Sequence, residues 1–483
     1  MHNLDILIFT LYMLAVIGIG VRFLFKNKGV DDYYVGGRKI GSWHIGLSVV
    51  ATDVGGGFSI GLGGLGFIMG LAGSWMLFTG LVGAWLSAVL LIPKVKNIEK
   101  FKKFYTFPQL LGHFYTPRVA LLAGIISGIG YLGFTSSQIL AGAKLASATF
   151  VELDMQTALI IMGLIVIVYT AMGGIKAVIY TDTIQWIILM VGLIFIGIPI
   201  AYFSVGGINA ITEILPPEFF SLGNISWQQI INWAVTIIPI WFVGMTLYQR
   251  IYASRDKKQA QKAWLVAGLF EYPIMAFMGV LLGLFSRVAF EQGMFTYLGW
   301  APGSEIDIEM GLPLLLRSVL PIGLMGLMMA AYFSAIMSTA DSCLMASSGN
   351  FLTDIIGRWF KTPDNKRTFL WISQGLTLVL GSLALLLATI MPNVLELMLY
   401  SYAFMVSGLF VPVMAGLFLK KVSSAAAFWA MLIGGATTIT LIITTIELPL
   451  GLDANIFGIS LSLVSFLIIN YGHKLVLSKK SFN

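Results

Sequence analysis

Charge is scarce in this chain. Asp, Glu, Lys and Arg make up 11% of its 483 residues, against about 25% in a soluble domain. So little charge excludes a globular protein held in solution by a polar surface. There is a single cysteine, Cys343, which excludes an internal disulfide framework. Histidine is nearly absent. His2, His44, His113 and His473 lie at ends or loops without metal-ligand spacing, so no transition-metal centre is expected. No nucleophile–histidine–acid arrangement is visible, and no enzyme activity is expected. Gly36-Gly37-Arg38 lacks the strand and helix of a phosphate-binding loop.

What is present is apolar. Hydrophobic residues reach 58% and mean hydropathy is +0.90. Unbroken apolar runs, rather than ten-residue alternation, predict an all-α integral membrane protein and not a barrel. Windows of about 20 residues predict thirteen spans, at 4–25, 42–70, 73–93, 119–150, 156–172, 177–205, 227–249, 263–289, 312–347, 369–391, 395–419, 424–446 and 455–474. Leu4 to Phe25 is read as a span and not as a signal peptide, because no basic segment precedes it and no small-residue cleavage site follows.

The net charge of +7 does not indicate a nucleic-acid partner. Basic residues fall in alternate short loops: Lys94 to Lys103, Arg250 to Lys262, Arg358 to Arg367, Lys420 with Lys421, and Lys474 to Lys480. The loops between them carry acids, among them Glu213, Glu291, Asp307, Glu309 and Asp453. The positive-inside rule then predicts an outer N-terminus, a cytoplasmic C-terminus and a plasma (inner) membrane location. No separate soluble domain and no obligate protein partner are expected; the lipid bilayer is the expected surrounding.

Asp53 is the most informative single residue. It lies within span 2, two residues ahead of Gly55, Gly56 and Gly57. A membrane carboxylate costs roughly 2.5–3.5 kcal/mol on insertion scales and so normally serves a polar site. Three glycines weaken the helix there. Span 7 carries Pro239 and Gly244 at the matching place. Proline removes a helix hydrogen bond and clashes with the preceding turn. Two interrupted helices in five-span units of opposite direction predict an inverted repeat with a site at its midplane.

Oxygen-bearing side chains recur in two more spans. Span 6 has Thr181-Asp182-Thr183. Span 9 has Ser334, Ser338, Asp341 and Ser342 on one helical face, with Thr339 beside it. Hard cations prefer several oxygen ligands. Lys144 and Glu271, in spans 4 and 8, are read as snorkelling or structural pairs, with a functional role as the alternative.

These segments resemble the sodium:solute symporter family. The matching pieces are Asp32 to Arg38; Ala51 to Gly57; Tyr169 to Gly174 with Tyr180-Thr181-Asp182; Gln249-Arg250; and Ser338 to Ser342. The resemblance implies a LeuT-like 5+5 inverted repeat over about 42–419, with discontinuous helices 2 and 7, span 1 peripheral at 4–25, and spans 12–13 added at 424–474, all in one domain over 1–483. It implies sodium-driven import of a small organic solute by alternating access. The implied sodium ligands are Ala51, Val54, Ala335, Ser338 and Thr339. A second set, found in some members, is Asp182, Ser338, Asp341 and Ser342. Asp53 matches an acid important for sodium in proline-type members. The implied solute contacts are Gly55, Gly56, Gly57, Phe58, Phe134, Gln138, Trp241 and Met245. Ile240-Trp241 keeps half of the Tyr-Trp pair of sugar-type members, and the tryptophan cage of choline-type members is incomplete. An amino-acid-like or zwitterionic solute such as proline is therefore expected. Choline, sugar or carboxylate symport and a cation channel are the alternatives.

Overall fold

A computed structural model describes residues 2–26, 35–53, 55–150, 152–359, 366–444 and 446–480, with all their side chains except those of 17, 19–20, 22–26, 53, 56–58, 172–177, 366–367, 369–370 and 473–480. Among the described residues the fold is helical, with one isolated β-bridge between Ile40 and Ser254.

Among the described residues nine helical runs are long and apolar enough to cross a bilayer, and ten if one bent pair is counted as a span. The expected thirteen are not reproduced by that measure. One run, Ser59–Glu99, contains a 3-10 turn at Gly70–Ser74.

The chain begins with α1 (Asn3–Lys26). Span 2 is divided, as expected, into α2 (Ser42–Asp53) and α3 (Gly55–Met69). Gly55 sits at the start of α3 with φ +38. A Cβ there would also run into Thr339, so the position suits glycine alone. There follow α4 (Trp75–Glu99), the short α5 (Phe107–Phe114) and α6 (Pro117–Thr149). Helical backbone then runs from Met155 to Gly192 (α7), where a boundary between two spans is expected at 172–177. The glycines there bring no proline to end the helix. Two short helices, α8 (Ile198–Ser204) and α9 (Gly207–Ile214), close this half.

Span 7 is divided into α10 (Trp227–Val243) and α11 (Met245–Ala253), bent by 41°. The break falls at Gly244, whose ψ of 116° leaves the helix; Pro239 stays inside α10 one turn earlier.

The span expected at 263–289 is one run, Lys257–Glu291, made of α12 (Lys257–Leu269) and α13 (Ala276–Glu291) with a kink between them where Tyr272 is non-helical before Pro273. One expected span is corrected. The one read at 312–347 is α14 (Gly311–Val319) and α15 (Leu324–Asn350). Pro321 and Gly323, at φ +89, end the helix between them. The chain finishes with α16 (Lys366–Ala388), α17 (Val394–Phe418), α18 (Ser424–Thr444) and α19 (Ala454–Lys480).

Packing explains the glycine content. Helices α3 and α13 lie backbone to backbone: a Cβ on Gly66 would strike the Val280 carbonyl, and one on Gly283 the Gly63 carbonyl. Small residues permit that approach between membrane helices. Helix α15 is buried almost all round, against α1, α6 and α7. Its first turn is capped from α1. Asp5 Oδ1 accepts from Gly323 N at 2.7 Å and Gly326 N at 2.9 Å, and Asp5 is 1% exposed. Asp5→Ala is expected to cost about 1–2 kcal/mol of stability through the lost cap. An unchanged melting temperature in detergent would contradict that role.

Lys144 is structural, one of the two readings open to it. Its Nζ lies 2.6 Å from both Asp307 and Glu309. Glu309 in turn accepts from Val394 N and Leu395 N at 2.8 and 2.9 Å, capping α17. Lys144→Met leaves a buried carboxylate without its cation and is expected to cost about 3–5 kcal/mol, read as a lower melting temperature. Glu271 is buried at the α12–α13 kink against Gly80.

Candidate functional site

The break in span 2 exposes carbonyls at the end of α2, since a helix leaves its last four C=O groups without intrahelical partners. Thr339 of α15 uses one of them. Its Oγ1 donates to Ala51 O at 2.9 Å and also lies 3.2 Å from Ala335 O. Three of the expected sodium ligands therefore meet at one place. Val54 is outside the described residues. So are the side chains of Asp53 and Phe58, and Gly56 and Gly57 are described by their helical backbone alone.

The adjoining oxygens form a second cluster. Asp182 is fully buried on α7. One of its oxygens accepts from Ser338, and the other accepts from Ser48 at 2.5 Å. Ser338 thus links the two expected ligand sets. Asp341, one turn on, accepts from Thr170 at 2.5 Å through Oδ1. Its Oδ2 is buried and has no hydrogen-bond partner among the described residues. A buried acid oxygen in that condition calls for a cation or a proton.

A residue read as a loop cation turns out to be central. Arg250 is not in a solvated loop; it is completely buried in α11. Its Nη2 donates to Thr52 at 2.6 Å and Ser342 at 2.8 Å and lies 3.4 Å from Asp182, while Nε donates to Ser48 at 3.2 Å. The guanidinium ties α2, α7, α11 and α15 together. It also places a fixed positive charge against half of the second expected sodium set, Asp182 and Ser342. Ser48, Thr52, Thr170 and Arg250 are the site residues that sequence reasoning missed. Gln249-Arg250 at the end of an apolar span was the available signal.

The expected solute contacts are divided. Phe134 is buried between Tyr131, stacked at 6.4 Å, and Tyr402, edge-on at 5.0 Å. Tyr131 reaches across to the start of α11, where its hydroxyl meets Thr246 Oγ1 at 2.9 Å and accepts from Thr246 N at 3.2 Å. Gln138 is buried one turn beyond Phe134, near Ser137. Trp241 packs against Gly83 of α4 and Trp264 of α12. Met245 accepts from Phe107 N of α5 at 3.1 Å.

A cavity of about 440 Å³ opens at the other end of the bundle from the Lys/Arg-rich loops. It reaches Gly61, Thr236 and Ala403, and Glu396 and Asp453 line it beside Glu309, which is already paired with Lys144. Carboxylates in a concave mouth concentrate cations. Burial raises the Asp453 carboxyl above its ordinary pKa.

Two helices broken at facing positions, buried oxygens gathered at one break and an acidic vestibule define a membrane transporter driven by a cation. Comparison with known proteins makes the class specific. The model of the sodium:solute symporter family matches residues 33–434. The chain belongs to that family; it is a transporter, not an enzyme, and sodium is its coupling ion. It is 26% identical over 488 residues to sodium/glucose cotransporter 1 of Oryctolagus cuniculus, covering 91% of this chain and 72% of that protein. It is 27% identical to the high-affinity proline transporter PutP of Bacillus subtilis (strain 168), covering 86% and 87%. A solved Na+-coupled sialic acid symporter superposes with a TM-score of 0.79 at 21% identity, covering 97% of each chain. Mhp1, a nucleobase-cation-symport-1 family transporter, superposes at 0.58 and 13% identity, covering 93% and 95%. The fold is the LeuT-like inverted repeat.

Proposed function

We propose that this chain imports an amino-acid-like or zwitterionic solute such as proline, by alternating access, across the plasma (inner) membrane, with its N-terminus outside. The observation that carries the sodium site is the Thr339 hydroxyl seated on the Ala51 carbonyl at the break of α2 and α3. In this reading one sodium ion is held by the carbonyls of Ala51, Val54 and Ala335 and the hydroxyls of Ser338 and Thr339. Bound there, it joins the broken helix to α15. Asp53 assists from the end of α2. Solute binds between the two breaks, at Gly55, Gly56, Gly57, Phe58, Phe134 and Gln138. Trp241 and Met245, on either side of the second break, belong to the same proposed contact set. The repeat then rocks around the filled site.

The solute class rests on residues, because sugar and proline transporters are about equally similar to this chain. Only Trp241 of the sugar-type Tyr-Trp pair is present, and it faces α4 and α12. Uptake of labelled proline and labelled glucose into proteoliposomes under an inward sodium gradient tests the assignment. Sodium-dependent proline uptake without glucose uptake is expected. The reverse would transfer the protein to the sugar class, and rates far above those of carriers would favour a channel.

A second ion is a distinct reading, favoured by the open Oδ2 of Asp341. Against it stands Arg250, already bound to Asp182 and Ser342. One ion predicts a sodium dependence with a Hill coefficient near one. A coefficient near two, abolished by Asp341→Asn, would establish the second site.

A further inference from the structure

At the basic end of the bundle three segments distant in sequence enclose a cavity of about 550 Å³: Gly37–Lys39, Lys96–Lys103 and Ser254–Lys257. Two carboxylates line it and both are engaged. Glu99 pairs with Arg38 at 2.6 Å and Lys96 at 2.7 Å. Asp256 caps α12 by accepting from Gln259 N at 2.9 Å. Arg38 and Lys96 are fixed further, by Phe104 O at 2.7 Å and Ser254 O at 3.0 Å. Five cations remain around the same space: Lys39, Lys100, Lys103, Arg255 and Lys257. All five are exposed, and none has an ion pair or a side-chain hydrogen bond among the described residues.

Basic loops at one face of a membrane protein are ordinary. Convergence of five unpaired cations from three separate segments into one concavity is not required by that rule. The cavity also lies where α2 begins, α4 ends and α12 begins. That places it at the level of lipid headgroups.

We propose that this cavity binds a phosphate group, from an anionic lipid headgroup or from free phosphate. The site is independent of the sodium and solute sites. Bound phosphate would hold together segments already joined by backbone bonds, Ile40 N to Ala253 O at 3.1 Å and Arg255 N to Ile40 O at 3.2 Å.

The test is thermal stability of the purified full chain in detergent with phosphatidylglycerol, phosphatidylcholine or inorganic phosphate added. Three forms are compared: wild type, Lys100→Gln/Arg255→Gln, and Lys420→Gln/Lys421→Gln, which removes two exposed cations from another basic loop. Stabilisation of the wild type by phosphatidylglycerol but not by phosphatidylcholine is expected. Each lost cavity cation should weaken it about fivefold, and the Lys420/Lys421 pair should leave it unchanged. Stabilisation by inorganic phosphate alone, with the same mutational pattern, supports the site and names the free ion as its source. Equal effects of both lipids with no response to phosphate would overturn the proposal. So would a loss as large in the Lys420/Lys421 variant as in the cavity variant.

Discussion

Thr339→Ala is expected to raise the sodium concentration for half-maximal uptake by about tenfold or more. A hydrogen bond or ligand contact to a charged partner is worth about 1.5–3 kcal/mol, and about 1.4 kcal/mol is a factor of ten. The threonine hydroxyl is the atom of α15 that touches the carbonyl freed at the break. Removing it separates the two halves of the proposed ion site without touching the lipid-facing surface, because Thr339 is fully buried. Insertion and abundance should therefore be preserved. Ser338→Ala should act in the same direction, with an added loss of order at Asp182, whose carboxylate it meets. The check is the sodium dependence of uptake at fixed solute. Unchanged dependence in both variants would show that the ion is held elsewhere.

The second large effect is expected at Arg250. Arg250→Met removes the guanidinium that joins Asp182, Ser48, Thr52 and Ser342. Breaking a buried pair by taking away one partner costs about 3–5 kcal/mol, largely because the other charge is left uncompensated. The melting temperature should fall by more than for any single hydroxyl deletion nearby. Combining Arg250→Met with Asp182→Leu should recover much of the loss, since the orphaned carboxylate is gone. If the two losses simply add, the pair is not coupled and the arginine acts through packing. A further outcome concerns the ion. With the fixed cation absent, Asp182, Ser338 and Ser342 become available to sodium, so sodium should stabilise Arg250→Met more than it stabilises wild type.

Local chemistry made part of this architecture legible. The break at Gly55 was visible because consecutive glycines follow an acid inside an apolar run, and both signals act at the position itself. Gly244 was visible beside Pro239 for the same reason. The face carrying Ser338, Asp341 and Ser342 follows from helical spacing, and the structure brings all three to α7 or to Arg250. Arg250 itself was misread because a cation at the end of an apolar span usually belongs to a loop. Its side-chain partners lie 68 to 202 residues away, beyond any local pattern. Glu309 was misplaced similarly: an acid in an outer loop reads as solvated, yet it caps α17 and pairs with Lys144. The break between α14 and α15 was missed because the apolar pattern continues through Pro321 and Gly323 and outweighed both residues in the reading. Tertiary pairing decides the first two, and local proline and glycine chemistry the third.

The central claim is that sodium is held where α2 breaks against α15. The most direct measurement is the melting temperature of the purified protein in sodium against potassium, for wild type and Thr339→Ala side by side. A ligand at about a hundred times its Kd stabilises the folded state by about 2.7 kcal/mol. The account predicts a sodium-specific rise in wild type, further increased by the transported solute, and a rise displaced to higher sodium in Thr339→Ala. Equal melting temperatures in sodium and potassium for wild type, or a sodium response identical in the two proteins, would contradict it.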